Sequence, residues 1–392
     1  MKHVVVLIIS LFLAGCGLEF PDRYDRVDND RVRPLVFVYD NKGLAEGAPG
    51  DTVTLHAYFA GEPARNIQWT ILPAMLVRAF GVDAYRDTIP LQSIVVAESY
   101  AQYSGGLTDS AVISLMIPRD IIRNEFANVS TIGSLLPLQV RESVPDKLLN
   151  VSPVKVIDML DFLASRPPGV DSSVVDSALK ALAGENASDH IPFLLQALSV
   201  TMKVLSTVND KYKVESLFTI RYNSAVSYLN STVPVNRNPV IEWSRLYKVK
   251  GTSVNSFDPA KNASLVDQVY SMDEVYRDTV VIEDGYSYFL AADSGTHSLD
   301  YGMSMNSGQM SQESFIYEWF YRNDDFLESA DPEKLIVLEK SPGSKFVKLL
   351  PPIDRRMKHF SLWLVTYDTF MGERLRPVGF CFRAMHGVIA YR

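Results

Sequence analysis

The sequence predicts a mainly β protein built of two β-sandwiches, with a helical segment inserted in the first sandwich or following it. Short runs of alternating apolar residues in residues 32–149 and 236–392 indicate the sandwiches, and residues 150–212 between them have helical periodicity. The chain has 392 residues, 47% of them hydrophobic and 21% charged, a composition typical of globular proteins. At roughly 150 residues per domain, this length suffices for two or three domains.

The first β region alternates most clearly at residues 52–59 and 67–71. Apolar side chains occupy every second position there, which is the pattern of strands with one buried face. Further β-type runs occur at residues 33–39, 93–96, 111–117 and 136–140. We expect these strands to pair into the sheets of the first sandwich.

The lead-in to this alternation resembles a known class of domain. Residues 49–55 read Pro-Gly-Asp-Thr-Val-Thr-Leu, as bacterial immunoglobulin-like domains do at the same place. Trp69 follows in the next strand, where the strand C tryptophan of an immunoglobulin-like sandwich packs between the two sheets. The resemblance implies that both sandwiches are immunoglobulin-like, with Trp319 in the second region standing where Trp69 stands in the first.

Helical periodicity begins at about residue 150. Apolar residues recur at helical spacing in residues 156–163, and Ser173 with Asp176 forms a capping-box pattern ahead of a second stripe. Residues 194–205 carry a third stripe. These stripes predict three amphipathic helices within residues 150–212.

A strand is predicted within residues 213–235, where alternation resumes. The economical interpretation is that this strand returns to the first sandwich and closes it, which makes the helices an insertion. A separate helical domain fits the sequence equally well, because no sequence rule decides which strand pairs with which.

The second β region, residues 236–392, opens at a junction that reads Asn-Arg-Asn-Pro. Short strands about 10 to 20 residues apart, with Gly or Pro at the turns, predict the second sandwich. These strands are expected at residues 286–292, 315–321, 335–338, 346–350, 360–367 and 378–383.

A signal peptide is predicted at residues 1–15. Its apolar run, residues 4–13, is too short to span a bilayer, since spanning requires about 20 apolar residues. Residues 13–16 read Leu-Ala-Gly-Cys, which resembles the lipobox of bacterial lipoproteins. The resemblance implies that Cys16 becomes the lipidated first residue of the mature chain and holds the protein to a membrane. The alternative is an ordinary secretory signal with a chance cysteine.

Residues 16–31 are polar and acidic, and we expect them to form a lipidated, flexible tether. Gly17 follows the lipobox cysteine, where an Asp would resemble the inner-membrane retention signal of enterobacterial lipoproteins. The resemblance therefore implies a lipid-anchored protein of the bacterial cell envelope, sorted to the outer membrane and facing the periplasm or the cell surface.

A search for motifs predicts no catalytic, cofactor-binding or metal-ligating residue. The sequence has no nucleophile elbow, phosphate loop, zinc helix or calcium loop motif. Ser177 and Lys180 match the Ser-x-x-Lys pattern of penicillin-recognising enzymes, but a surface helix is the expected setting. The acidic clusters at residues 25–30 and 324–328 are expected to be solvated loops. Cys381 is expected to be a half-buried structural thiol.

The net charge and the positions of the aromatic residues restrict the classes of partner that the chain is expected to bind. Lys and Arg total 38 against 46 Asp and Glu, and the net charge of −8 argues against a nucleic-acid partner. Tyr286, Tyr288, Tyr317 and Tyr321 are expected in the core rather than on a binding face. These observations favour a non-enzymatic envelope lipoprotein whose domains bind or assemble with an envelope protein or a glycan. The alternative is an envelope hydrolase or carbohydrate-processing enzyme whose site is assembled only in the fold.

Overall fold

The structure is a computed structural model that covers the chain from Val32 to Arg392 with gaps. The described residues are 32–61, 64, 66–75, 88–103, 108–136, 141–142, 144–165, 172–183, 194–195, 197–222, 236–252, 254, 257–272, 279–293, 301–303, 310–312, 314–323, 336–342, 346–349, 359–369 and 379–392. The prediction of a mainly β protein is confirmed, because strands outnumber helices among the described elements and form several antiparallel sheets.

The first half, residues 32–222, contains strands and helices. Its strands are β1 (Val32–Asp40), β2 (Glu46–Gly47), β3 (Thr52–Gly61), β4 (Ile67–Met75), β5 (Val95–Tyr103), β6 (Thr108–Met116), β7 (Val200–Val208) and β8 (Tyr212–Ile220). Its helices are α1 (Ile121–Phe126), α2 (Asp146–Leu149), α3 (Pro153–Ala164) and α4 (Ser172–Ala183). Sheet 1 has the strand order β2-β8-β7-β4, and sheet 2 has the order β1-β3-β6-β5.

The helices differ in part from the prediction. The stripes at residues 156–163 and 173–182 do lie on helices, α3 and α4. However, α1 and α2 begin before residue 150, inside the region expected to be a sandwich. Sequence alternation alone did not reveal these two helices because each is only four to six residues long.

The prediction of a helix at residues 194–205 is wrong in its second part: the described residues 194, 195 and 197 are helical, but a strand begins at Val200. The structure has a strand at Val200–Val208, which pairs with β4 from Ile67 opposite Val208 to Met75 opposite Val200. Met202 and Leu205 of this strand continue the helical spacing of Leu194 and Leu198, so the sequence shows a single apolar stripe that runs from a helical turn into a strand. The helices therefore lie in sequence between β6 and β7, and β7 shares sheet 1 with β4.

One hydrophobic core fills the first half. It takes buried side chains from sheet 1, from sheet 2 and from the helical layer, which we define as α1–α4; examples are Ile71, Leu55, Phe126 and Ile157. Helix α1 lies against β4 and β7. Because all three layers share one cluster of contacts, the helices are part of the same packed unit as the two sheets.

The second half, residues 236–392, contains the remaining strands. They are β9 (Trp243–Lys250), β10 (Val266–Ser271), β11 (Thr279–Ile282), β12 (Tyr286–Asp293), β13 (Tyr301–Met303), β14 (Met310–Gln312), β15 (Ser314–Asn323), β16 (Ile336–Pro342), β17 (Phe346–Leu349), β18 (His359–Thr369) and β19 (Phe380–Tyr391). Sheet 3 has the order β11-β19-β18-β15-β16 and sheet 4 the order β10-β9-β12-β17. Strands β13 and β14 form a separate two-stranded pair.

A second core lies between sheets 3 and 4. Trp319 and Leu362 of sheet 3 are buried in it together with Leu246 and Leu290 of sheet 4. The far side of sheet 4 is covered by residues 254 and 257–265, which we call the cover segment. Its Phe257 packs on Tyr247 and Phe289 to form a cluster separate from the second core.

The two halves contact each other through the outer faces of sheets 2 and 3. Tyr58 of β3 stacks on Phe382 of β19, with ring centroids 4.2 Å apart and planes inclined by 18°. Val36, Phe320 and Trp363 are buried in the same cluster. The four sheets therefore pack in series, in the order 1-2-3-4, and sheets 2 and 3 each bury side chains on both faces.

Candidate functional site: anchor end, charged clusters and exposed apolar side chains

The lipobox residue Cys16 lies outside the described residues, as do the acidic clusters at residues 25–30 and 324–328. The structure begins 16 positions after Cys16, at Val32, the first residue of β1. Val32 pairs with Gly61 at one end of sheet 2. We call this end of the first half the anchor end, because the chain from Cys16 enters the fold there.

Polar side chains close the anchor end of sheet 1. The β7–β8 turn contains Asn209 and Asp210 at φ values of 52° and 57°, a left-handed conformation that Asn and Asp tolerate. The carboxylate of Asp210 accepts hydrogen bonds from Asn66 Nδ2 at 2.9 Å and Gln68 Nε2 at 3.0 Å. This end is therefore an exposed, hydrogen-bonded surface.

The helical layer begins and ends at the opposite end of the first half. Met116, the last residue of β6, pairs with Thr52 at the start of β3, and the chain then continues into α1. The chain leaves the helical region again at Val200, the first residue of β7. Phe162 of α3 is 50% exposed and Val174 of α4 is 46% exposed. We call these two side chains the helical surface.

The Ser-x-x-Lys pattern lies on α4, as predicted, in a setting that differs from a catalytic one. Ser177 and Lys180 are both exposed, and Ser177 Oγ donates a hydrogen bond to the carbonyl oxygen of Ser173 at 2.8 Å. This bond to the preceding turn is a common one for serine within a helix. The structure supports a surface helix at this position.

A charged cluster that the sequence did not indicate joins α1 to α3 within the helical layer. Arg123 of α1 pairs with Asp158 and Asp161 of α3, and Tyr222 donates its hydroxyl hydrogen to Asp161 Oδ1 at 2.8 Å. The hydrogen bond to Asp158 raises the pKa of Arg123, and burial raises that of Tyr222. The groups thus hold α1, α3 and the chain after β8 in one arrangement.

A second charged cluster closes one end of the core between sheets 3 and 4. Lys248 Nζ lies 2.9 Å from Glu283 Oε2 and 3.4 Å from Asp267 Oδ2, and it sits 4.3 Å from the ring centroid of Tyr286. Burial lowers the pKa of Lys248, but the hydrogen bonds to the two carboxylates outweigh burial, so the net pKa is raised. Lys248 is therefore held as a cation, which is unsuited to nucleophilic chemistry.

A lysine on the inward-facing side of a strand was the signal that could have identified this cluster. Lys248 lies two positions after Leu246 and therefore on the same face of β9, which points into the second core. An ionisable group at such a buried position needs a partner. The sequence does not reveal which carboxylates supply the charge, because Glu283 is separated from Lys248 by 35 positions.

Cys381 and the aromatic side chains lie in the packed interior. Cys381 is half-buried, and burial raises the pKa of its thiol, which makes the reactive thiolate form less available. Tyr288 and Tyr317 are buried in the second core, and Tyr286 is half-buried against it. The side chain of Tyr321 lies outside the described set. The three described tyrosines thus contribute to packing.

Comparison with known proteins gives no family assignment. No family model matches the sequence, and no curated protein matches it at a significant level. Within the described ranges, no helix is long and apolar enough to cross a membrane. The same residues include no group of three or more His, Cys, Asp and Glu side chains placed to hold a metal ion.

Proposed function

We propose that this chain is a non-enzymatic, lipid-anchored protein of the bacterial cell envelope, which presents a fixed stack of β-sheets and the helical surface to an envelope protein or a glycan. The observation that carries the proposal is the Leu-Ala-Gly-Cys sequence at residues 13–16, directly after an apolar run of signal-peptide length. Gly17 after the cysteine supports sorting to the outer membrane. The mainly β architecture and the buried Trp69 and Trp319 support two immunoglobulin-like sandwiches.

The position of the first strand supports an anchored arrangement. Sixteen positions separate Cys16 from Val32, and a chain of that length spans at most about 55 Å when fully extended. The anchor end of the first half is thereby kept within that distance of the membrane. The chain enters the helical layer from the opposite end of sheets 1 and 2, which favours an orientation in which the helical surface faces components farther from the bilayer.

Lipidation is tested by labelling cells that express the full chain with a radioactive or clickable palmitate. The expected result is a labelled protein in the membrane fraction and loss of both label and membrane association in Cys16→Ala. Cys381→Ala is the matched control, because the chain contains two cysteines and only one of them lies in the lipobox-like sequence. Equal labelling of the wild type and Cys16→Ala would overturn the anchor.

Binding of an envelope partner by the helical surface is tested by replacing its exposed apolar side chains. Deleting residues 150–212 is unsuitable, because the deletion would remove β7 from the middle of sheet 1. A Phe162→Asp/Val174→Asp variant is expected to lose crosslinking to its envelope partner while keeping its circular dichroism spectrum. Leu217→Asp is the control, since Leu217 is 58% exposed on β8, away from the helices in sequence. Equal loss in all variants would contradict a role for the helical surface.

A further inference from the structure

The chain crosses between its two halves through residues 236–241, and this crossing is held from both sides. Two backbone hydrogen bonds join it to the first half. The N–H of Ala45 donates to the carbonyl oxygen of Asn236 at 2.9 Å, and the N–H of Asn238 donates to the carbonyl oxygen of Gly43 at 2.9 Å. The N–H of Asn236 also donates to Glu46 Oε1 at 3.3 Å. Glu46 is fully buried and lies 2.6 Å from Arg221 Nε, so its position is itself fixed.

The side chain of Asn238 joins the two halves directly. Its Nδ2 donates to the carbonyl oxygen of Tyr39 in β1 at 2.6 Å, and its Oδ1 accepts from the N–H of Phe380 in β19 at 3.1 Å. One amide group therefore bonds to the edge strand of sheet 2 and to the first residue of a strand in sheet 3. These directional bonds accompany the apolar contact between the same two sheets.

Gly379 allows the second half to approach the crossing this closely. A Cβ atom at Gly379 would lie 2.6 Å from the carbonyl oxygen of Arg237, 2.6 Å from Asp368 Oδ2 and 3.0 Å from the Cα of Asn238. The N–H of Gly379 donates to Oδ1 of Asp368, which is buried, at 2.8 Å. Two of the three near atoms belong to the backbone, so a side chain at this position requires the crossing to move.

From these contacts we propose that Asn238 and Gly379 form an orientation lock between the two halves. The apolar faces of sheets 2 and 3 supply attraction without direction, because stacked apolar surfaces tolerate sliding and rotation. The lock fixes the relative orientation of sheets 2 and 3. When the contacts of Asn238 and Gly379 are formed, the four sheets move as one body. When these contacts are broken, the second half can rotate about residues 236–241 while each half keeps its own core. This inference is independent of the lipid anchor.

The test compares hydrogen exchange of the purified full chain with that of Asn238→Ala and Gly379→Ala. We expect roughly tenfold faster exchange of peptides from β1 and β19, which corresponds to the loss of about one to two hydrogen bonds. Peptides from β7 and β12, which lie in the outer sheets, should exchange at the wild-type rate. Small-angle scattering should show a larger radius of gyration for both variants.

Asn150→Ala is the matched control, since Asn150 is exposed and, among the described residues, its side chain donates to a local acceptor, the carbonyl oxygen of Asp146, at 2.9 Å. Exchange at β1 and β19 that equals the wild-type rate in both lock variants would overturn the proposal. Uniformly faster exchange, including β7 and β12, would also overturn it, because the crossing would then support both cores in general instead of setting their orientation.

Discussion

The two halves extend their sandwiches in different ways. In the first half, Phe126 and Ile157 of the helical layer belong to the same hydrophobic cluster as the facing sides of sheets 1 and 2, while the other side of sheet 1 leaves Leu217 58% exposed. Sheet 4 is covered by the cover segment, whose Phe257 forms a cluster apart from the second core. The difference indicates that the helices belong to the folding unit of the first half, whereas the cover segment is a local addition to an already complete sandwich.

Phe126→Ala should have the largest effect, because it removes a fully buried aromatic ring from the shared core. We expect the free energy of unfolding of the first half to fall by about 3–5 kcal/mol. Denaturant unfolding followed by circular dichroism measures the loss. Phe162→Ala on the exposed side of α3 is the control and should cost less than about 1 kcal/mol. If Phe126→Ala cost as little as the control, the helical layer would not be part of the shared core.

Lys248→Met should lower the stability of the second half by about 3 kcal/mol, because it leaves Glu283 without its buried partner. The folded-state pKa of Lys248 is raised, so its contribution is fully present below the unfolded pKa of about 10.4 and is lost as pH rises through the folded pKa. The wild type should therefore lose stability in strong alkali, and Lys248→Met should lose less.

Urea unfolding at several pH values between neutral and strongly alkaline checks the Lys248 prediction. Lys250→Met is the control, since Lys250 is exposed and lies 3.9 Å from Asp267. A surface pair of this kind contributes less than about 1 kcal/mol. Parallel pH profiles of the wild type and Lys248→Met would show that the buried cluster does not act through the charge of Lys248.

Phe257→Ala should have the smallest effect of the three substitutions, about 2 kcal/mol, because the cover segment can collapse into the space left by the ring. The consequence should be local. Hydrogen exchange should become faster within residues 257–265 and in β9, while peptides from β18 in the second core stay protected. Faster exchange throughout sheets 3 and 4 would mean that the cover segment is as integral to its half as the helical layer is to the first.

The sequence predicted the elements with a regular pattern. Residues 52–59 and 67–71 alternate and lie in β3 and β4, and α3 and α4 lie where the first two helical stripes were identified. These elements have one apolar side, so their period is visible. Strand β7 was missed because Met202 and Leu205 continue the helical spacing of Leu194 and Leu198, and this stripe concealed the alternation within the strand.

The contacts between elements could not be predicted in the same way. Tyr58 alternates with core residues as a solvent-facing side chain would, yet it stacks on Phe382 more than 300 positions later. The partners of Lys248 and Asn238 likewise come from distant segments that no local pattern connects to them. Sequence periodicity reports which side of an element is apolar, and it carries no information on which other element will cover that side.

The contact between sheets 2 and 3 also orders events in time. Ala60 and Phe320 are buried in one cluster, and Ala60 is synthesised 260 positions before Phe320. At typical rates of synthesis this delay is roughly 10–50 s. During that interval the first half can complete its own core but keeps Val36, Tyr58 and Ala60 uncovered. A nascent or truncated chain therefore exposes an apolar sheet face that is prone to aggregation. The cell must either shield this face or delay folding until the last strands have been synthesised.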